Sequence, residues 1–225
     1  MTQEAATKPR LNIAIMVSGA GRGSNMMALI EGCATGEISG QVALIIGTRA
    51  DAPALLRAQE AGIKTAVVSP RKYEGDEEGY GVALSRLLNK YEIGLICLAG
   101  YMRRLPLSIV SQFHRRIMNI HPALLPFFGG QGMYGHHVHE AVLASGMKVA
   151  GCTVHFVDAE YDTGPIIHQR TVPVLGEDTP ETLAKRVLGE EHRAYVEAVA
   201  WLSEGRLVAE GDKIRLLNEK ERDDS

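Results

Sequence analysis

Asn119 and His121 stand two residues apart at the end of an apolar stretch, and both could stabilise a developing negative charge. In an extended strand, residues i and i+2 point to the same side, so both would face one space. An amide and an imidazole can donate hydrogen bonds to a carbonyl oxygen that gains charge during acyl transfer. Pro122 keeps His121 in the extended region, which stiffens the pair. The alternative interpretation is a strand end followed by a capped turn.

Asp162 is the acid that could act with this pair. A carboxylate near His121 would favour the imidazolium and position it for proton transfer. Aspartate is also common in turns for local hydrogen-bonding reasons, and Thr163-Gly164-Pro165 follows it here. His155 lies inside a predicted strand, either as a core histidine or as a partner of the site. The sequence leaves both alternatives open.

A glycine-rich loop, SGAGRGSN at residues 18–25, separates the first predicted strand from the first predicted helix. Such a loop brings backbone N–H groups near an anion, and the helix N-terminus adds positive potential. A phosphate is the natural ligand, with Ser24 and Arg22 as further contacts. The spacing fits neither a Walker loop nor a dinucleotide fingerprint, and no acid follows the second strand. A tight turn without a ligand is the alternative.

Composition excludes several classes of protein. The chain has 225 residues, 45% of them hydrophobic, and a net charge of −3, which argues against a general nucleic-acid binder. No apolar stretch approaches the roughly 18 residues of a membrane span. The three cysteines form no C-x-x-C pair, and Cys97 and Cys152 are predicted to be buried, which favours a reducing cytoplasm. Zinc binding by His136, His137 and His139 is disfavoured, because no further ligand has suitable spacing.

Strand-like and helix-like segments alternate along the first half. This pattern predicts an α/β fold, with a mostly parallel sheet covered by helices on both faces and ligands beyond the carboxyl ends of its strands. Residues 71–81 are polar and glycine-bearing, which predicts a loop. The predicted strands are 11–17, 42–46, 65–68, 94–98, 116–120, 149–157 and 166–174. The predicted helices are 26–33, 53–61, 82–91, 106–113 and 179–204.

Several motifs together resemble the folate-dependent formyltransferases. The glycine loop is followed by LAGYMR at 98–103, NIHPALLP at 119–126, GCTVHFV at 151–157, DTGPII at 162–167 and RV-x-x-x-EH at 186–192. Each motif is modest alone, but the order and spacing are specific. The resemblance runs from about Leu11 to Gly211.

The resemblance implies one Rossmann-like formyltransferase domain over 11–211. It would comprise a nucleotide-binding part (11–120) and a smaller carboxyl-terminal part (121–211), preceded by a disordered leader (1–10) and followed by a charged tail (212–225). It also implies formyl transfer from 10-formyltetrahydrofolate to the amine of glycinamide ribonucleotide, in de novo purine biosynthesis. A cytoplasmic monomer or homodimer is expected, with no metal, nucleic-acid or membrane partner.

The resemblance also assigns residues. Asn119, His121 and Asp162 match the catalytic trio, and the proline of a family cis peptide matches Pro126. The ribonucleotide and its phosphate would contact Gly21, Gly23, Ser24, Asn25 and Glu191. The folate would contact Met102, Arg103, Arg104, Leu105, Val110, Asn119, Asp158, Ala159, Glu160, Tyr161 and Asp162.

The chain departs from the family pattern in four places. Its glycine loop is two residues longer than the common S-G-x-G-S-N form, so Gly19 could share the phosphate role. Glu77 falls near the place of a family arginine that contacts the folate tail. Leu188 occupies a basic position before Glu191. The segment 127–140, FFGGQGMYGHHVHE, is longer than in many relatives and could reshape the edge of the cleft.

Other functions remain alternatives. A formyltetrahydrofolate hydrolase would use water in place of the amine, but such hydrolases carry an extra amino-terminal domain and lack this phosphate loop. Methionyl-tRNA formyltransferases are longer and have a basic carboxyl-terminal domain. A non-catalytic anion-binding module would need only the glycine loop.

Overall fold

The computed structural model describes residues 10–19, 21–218 and 221. The strands are β1 (Leu11–Val17), β2 (Gly40–Gly47), β3 (Thr65–Val67), β4 (Leu95–Leu98), β5 (Ile117–His121), β6 (Val149–Phe156), β7 (Ile166–Pro173), β8 (Leu207–Glu210) and β9 (Lys213–Leu216). The α-helices are α1 (Ser24–Thr35), α2 (Pro53–Glu60), α3 (Glu77–Lys90), α4 (Leu107–Gln112), α5 (His136–Ser145) and α6 (Pro180–Ser203). A 3₁₀ turn covers Pro70–Tyr73.

The main sheet has seven strands in the order β3-β2-β1-β4-β5-β6-β7. Strands β1 to β5 pair in parallel, and β6 and β7 add antiparallel to β5. The apolar run of β1 is buried on both faces: Ile13 and Ile15 join the core cluster that includes α1 and α6, whereas Ala14 and Met16 join the cluster that includes α3 and α4. This arrangement confirms the predicted α/β fold. Within the described residues, no helix combines the length and apolarity that membrane crossing requires.

The loop predicted over 71–81 is wrong for residues 77–81, which are helical. Helix α3 already begins at Glu77, and the Asp76 carboxylate caps it by accepting a hydrogen bond from Gly79 N at 2.8 Å. Gly81 lies inside this helix, at a position where a Cβ would collide with the side chain of Ser108 in α4. The glycine therefore permits a close helix contact and does not interrupt the helix.

Helix α5 and the β8–β9 hairpin have no counterpart among the predicted elements. Strand β9 lies inside the range predicted as a charged tail, so a boundary at 211 divides a hairpin. The hairpin is held to the body because Ile214 packs on the core and Leu217 N donates to Arg206 O at 2.8 Å. Nearly all of the predicted leader, residues 1–9, lies outside the described residues, as do 219–220 and 222–225 of the tail.

The topology brings three segments that carry predicted site residues to the same edge of the sheet. Because β1, β4 and β5 are parallel neighbours, their carboxyl ends lie side by side. The glycine loop follows β1, the LAGYMR segment covers the end of β4, and His121 ends β5. The peptide between Leu125 and Pro126 is cis, as the resemblance implies.

Candidate active site

Asn119, His121 and Asp162 converge, although they come from separate segments. Asn119 Nδ2 lies 3.5 Å from Asp162 Oδ1, and His121 Nδ1 lies 3.6 Å from Asp162 Oδ2. Asp162 reaches this place from the β6–β7 connection with a φ of 59°, a left-handed conformation that aspartate tolerates better than most residues. Its Oδ2 also accepts a hydrogen bond from Gly130 N at 2.9 Å. These three residues and His155 are called the reactive cluster below.

His155 is a partner of the site. It faces Asn119 across the antiparallel β5–β6 pair and is only 2% exposed. Its Nδ1 lies 2.8 Å from Phe156 O and therefore donates to it. In the neutral ring, Nε2 then accepts from Asn119 Nδ2 at 3.1 Å, which fixes the amide plane and leaves the second amide proton for Asp162 or a ligand.

Burial decides the charge on His121. Its Nε2 donates to Phe128 O at 2.8 Å, and Phe128 presents this carbonyl from a backbone φ of 55°. Burial lowers the pKa of His121, and the Asp162 carboxylate opposes this shift without reversing it. The predicted imidazolium is therefore not the favoured form in the ligand-free site, because desolvation outweighs the attraction of the acid.

The pKa of Asp162 is lowered, which favours its ionised form. Burial alone would raise its pKa, but the neighbouring rings of His155 and His121 and the N–H of Gly130 together lower it. The resting pair is thus a carboxylate beside a neutral imidazole. Such a pair can accept one proton when a reaction releases it.

A single cavity of about 730 Å³ connects Asn119, His155 and Asp162 of the reactive cluster with the predicted substrate contacts, whereas His121 is buried and is not among its lining residues. On one side it is bounded by Met102–Leu105 and by Asp158–Asp162, where Arg104 Nη2 donates to Ala159 O at 2.6 Å. Val110 is not among the lining residues, because α4 packs it against the core cluster shared with α3.

The other side of the cavity reaches Asn25 in the first turn of α1. Gly23 precedes this helix in a left-handed conformation, with a φ of 71°, and no side chain caps the first N–H groups. A Cβ on Gly23 would collide with Ala54, so α2 packs directly on the loop. Gly21, Gly23 and Ser24 adjoin this wall, but only Asn25 of the four lines the cavity.

Asn25 and Glu191 face each other across this wall. Asn25 Nδ2 donates to Glu191 Oε2 at 2.7 Å, whereas Asn25 Oδ1 is buried without a partner among the described residues. Glu191 is 8% exposed, and burial raises its pKa against the opposing hydrogen bond from Asn25. The pair is therefore poised to exchange hydrogen bonds with a polar ligand.

Several lining residues were not predicted as contacts. Ala184, Lys185 and Leu188 lie on the face of α6 that also carries Glu191, as helical periodicity from Glu191 could have indicated. The segment 130–136 covers the cavity, and His139 follows it on α5. In the sequence, only the unusual length of this segment indicated that it could border the cavity.

The three clustered histidines do not form a metal site. His137 is exposed and faces Glu140 at 3.4 Å, whereas His139 is buried. No group of three or more potential metal ligands gathers anywhere in the described part of the chain.

Comparison with known proteins places this chain and its fold in one family. The sequence pattern of the family described as formyl transferase matches residues 11–199. The chloroplastic phosphoribosylglycinamide formyltransferase of Arabidopsis thaliana is 43% identical over 215 residues, covering 96% of this chain and 73% of that protein. The phosphoribosylglycinamide formyltransferase of Escherichia coli is 37% identical over 197 residues, covering 88% of this chain and 89% of that protein.

A solved structure supports the same assignment. The glycinamide ribonucleotide transformylase 1 from Symbiobacterium toebii superimposes with a TM-score of 0.85 at 44% identity, covering 93% of this chain and 95% of that chain. The family match over residues 11–199 contains all seven strands of the main sheet and all the residues that line the cavity. This chain belongs to the formyl transferase family.

Proposed function

We propose that this protein transfers the formyl group of 10-formyltetrahydrofolate to the amine of glycinamide ribonucleotide, in purine biosynthesis. The observation that carries the proposal is the shared cavity, which joins the reactive cluster to the uncapped N-terminus of α1. The names of the similar proteins indicate the same reaction.

In the proposed reaction, the amine nitrogen attacks the formyl carbon directly. A new C–N bond forms, the carbonyl electrons move to oxygen, and collapse of the tetrahedral intermediate breaks the bond to folate N10. Asn119 Nδ2 donates to the oxyanion, because His155 already holds the amide in place. No enzyme nucleophile is needed.

The proton lost by the amine must reach folate N10. The Asp162 carboxylate is the acceptor that the cluster offers, and N10 takes the proton as the leaving group departs. Negative charge on the formyl oxygen would raise the pKa of His121 during this step, so that the proton taken up by Asp162 Oδ2 can move on to His121 Nδ1, 3.6 Å away, and reach N10 from there. The neutral resting His121 therefore becomes an imidazolium only when the oxyanion forms.

The two ends of the cavity suit the two substrates. Phosphate would bind the free N–H groups of Gly23, Ser24 and Asn25, with the Lys185 ammonium as counter-charge. No described acid forms an ion pair with Lys185, so this charge is available to a ligand. Glu191 and Asn25 would contact the ribose.

The reduced folate would lie between Met102–Leu105 and Asp158–Asp162. A second groove of about 760 Å³ shares Arg103, Arg104, Leu105 and Tyr161 with this wall and adds Arg71. We infer that it accepts the anionic glutamate tail. Glu77, which falls near the missing family arginine, instead accepts a hydrogen bond from Leu107 N at 3.2 Å.

No resident metal is needed for this chemistry, and we expect the enzyme to act in the cytoplasm as a monomer or homodimer. Hydrolysis of the formyl folate is the competing function. It would not require Lys185, Asn25 or an uncapped α1. The ribonucleotide side of the cavity therefore favours transfer to the amine.

One assay separates these functions. The purified protein is mixed with 10-formyltetrahydrofolate and glycinamide ribonucleotide, and the absorbance of the folate product and the formylated ribonucleotide are followed together. We expect equal amounts of both products and no turnover when the ribonucleotide is omitted. Release of free formate at the same rate without the ribonucleotide would reject the transferase function, and phosphate-ligand binding without turnover would indicate an anion-binding module.

A further inference from the structure

His139 is a buried polar side chain that the proposed reaction leaves unused. It lies on α5, is 4% exposed and lines the cavity. Its Nδ1 is buried without a hydrogen-bond partner, and no described group pairs with Nε2 either. Buried polar groups are nearly always hydrogen-bonded. A bound ligand can therefore supply the hydrogen-bond partner that this imidazole lacks.

The surroundings of His139 keep it uncharged. Burial lowers its pKa, and the nearby rings of His136 and His121 lower it further. A neutral imidazole offers one donor and one acceptor. It therefore suits an amide or a hydroxyl group better than a phosphate, which Lys185 and the α1 N-terminus can bind.

Its position indicates which part of the substrate it meets. The reacting amine must lie at the reactive cluster, which includes His121, and the phosphate at α1. The glycinamide amide and the ribose must then span the space between them. His139 lines this cavity and is close enough to His121 for that ring to contribute to the lowered pKa of His139.

We propose that His139 positions the ribonucleotide by hydrogen bonding to its glycinamide amide or the adjoining ribose hydroxyl, which holds the amine against the reactive cluster. This inference rests on the proposed function. It adds a contact that neither the sequence motifs nor the oxyanion chemistry required.

The test compares His139→Phe, which keeps a ring but removes both nitrogens, with His139→Gln, which restores a polar end. The control is His114→Phe, an exposed histidine outside the cavity. We expect His139→Phe to raise the KM for the ribonucleotide about 10-fold or more, because a substrate group loses its partner in a buried site. The KM for the formyl folate should stay within about two-fold, and His139→Gln should recover part of the ribonucleotide affinity.

The outcomes separate this inference from the proposed function. If the wild-type protein does not formylate the ribonucleotide, the function fails and the inference with it. If the wild-type protein is active and both variants keep its ribonucleotide KM, only the role of His139 is rejected, whatever happens to the melting temperature. If His139→Phe does not fold, the KM of His139→Gln and its affinity for the ribonucleotide in calorimetry are compared with the wild type. Unchanged values reject the role of His139, and weaker binding supports it.

Discussion

The reactive cluster differs from the wall of the same cavity that carries Asn25, His139, Lys185 and Glu191, called the ribonucleotide wall below, in how completely its polar groups are paired. In the cluster, Nε2 of His121, both nitrogens of His155 and both oxygens of Asp162 have a protein partner within 3.5 Å. On the ribonucleotide wall, α1 is uncapped and Asn25 Oδ1 and His139 Nδ1 have no partner in the described chain. In the proposed reaction the cluster is thus organised before substrate arrives, whereas the ribonucleotide wall needs a ligand to complete its hydrogen bonds.

This contrast predicts that changes in the cluster lower turnover, and that changes in the wall weaken binding. The largest effect is expected for Asp162→Asn, His121→Ala and Asn119→Ala. Each should lower kcat by at least about 10²–10³, because a preorganised charge or donor is lost. Steady-state kinetics and circular dichroism check this result, with the exposed Asp212→Asn as control. Near-normal kcat in a folded variant would remove that residue from the mechanism.

Lys185→Met tests the wall. We expect the KM for the ribonucleotide to rise about 10–100-fold with a smaller change in kcat, because a charge-assisted hydrogen bond to phosphate is lost. Lys148→Met, at an exposed position beyond the cavity, is the matched control. Adding Leu188→Lys to the variant should restore affinity, since residue 188 lines the same wall. Loss of kcat with unchanged KM would contradict the division of roles.

The neutral state of the buried histidines predicts a pH dependence of stability. The folded pKa values of His121 and His139 lie below their unfolded value of 6.5. As the pH falls through 6.5, the unfolded chain therefore binds more protons than the folded protein. The free energy of unfolding should therefore decrease from pH 7 toward pH 5. Urea unfolding at several pH values checks this, and His139→Phe should flatten the dependence. A dependence of the opposite sign would show that these rings are charged in the native protein.

The smallest effect is expected for Arg71→Ala in the second groove. An exposed ion pair contributes about 0.2–1 kcal/mol, so the KM for the folate should rise by no more than about 5-fold. The rise in KM should be larger for folates that carry several glutamates than for folates that carry one, and it should be smaller at high salt. Equal affinity for all tail lengths in both proteins would exclude this groove as the tail site.

Much of this molecule can be predicted from local patterns. The alternation of apolar runs and helices predicted the parallel sheet, and the two-residue spacing of Asn119 and His121 predicted that they share one side of β5. These features follow from backbone geometry over a few residues, which the chain encodes locally. The start of α3 was predicted too late, because a glycine such as Gly81 usually indicates the end of a helix. Its close contact with Ser108 is visible only in the structure.

Only the tertiary structure decided the rest. His155 pairs with Asn119, the neutral His121 faces Asp162, and Val110 packs away from the cavity, because each outcome depends on segments far apart in sequence. Charge state in particular depends on burial, which no single segment determines. The sequence therefore determined which side chains could take part, and packing determined their protonation, their partners and which of them stay open to substrate.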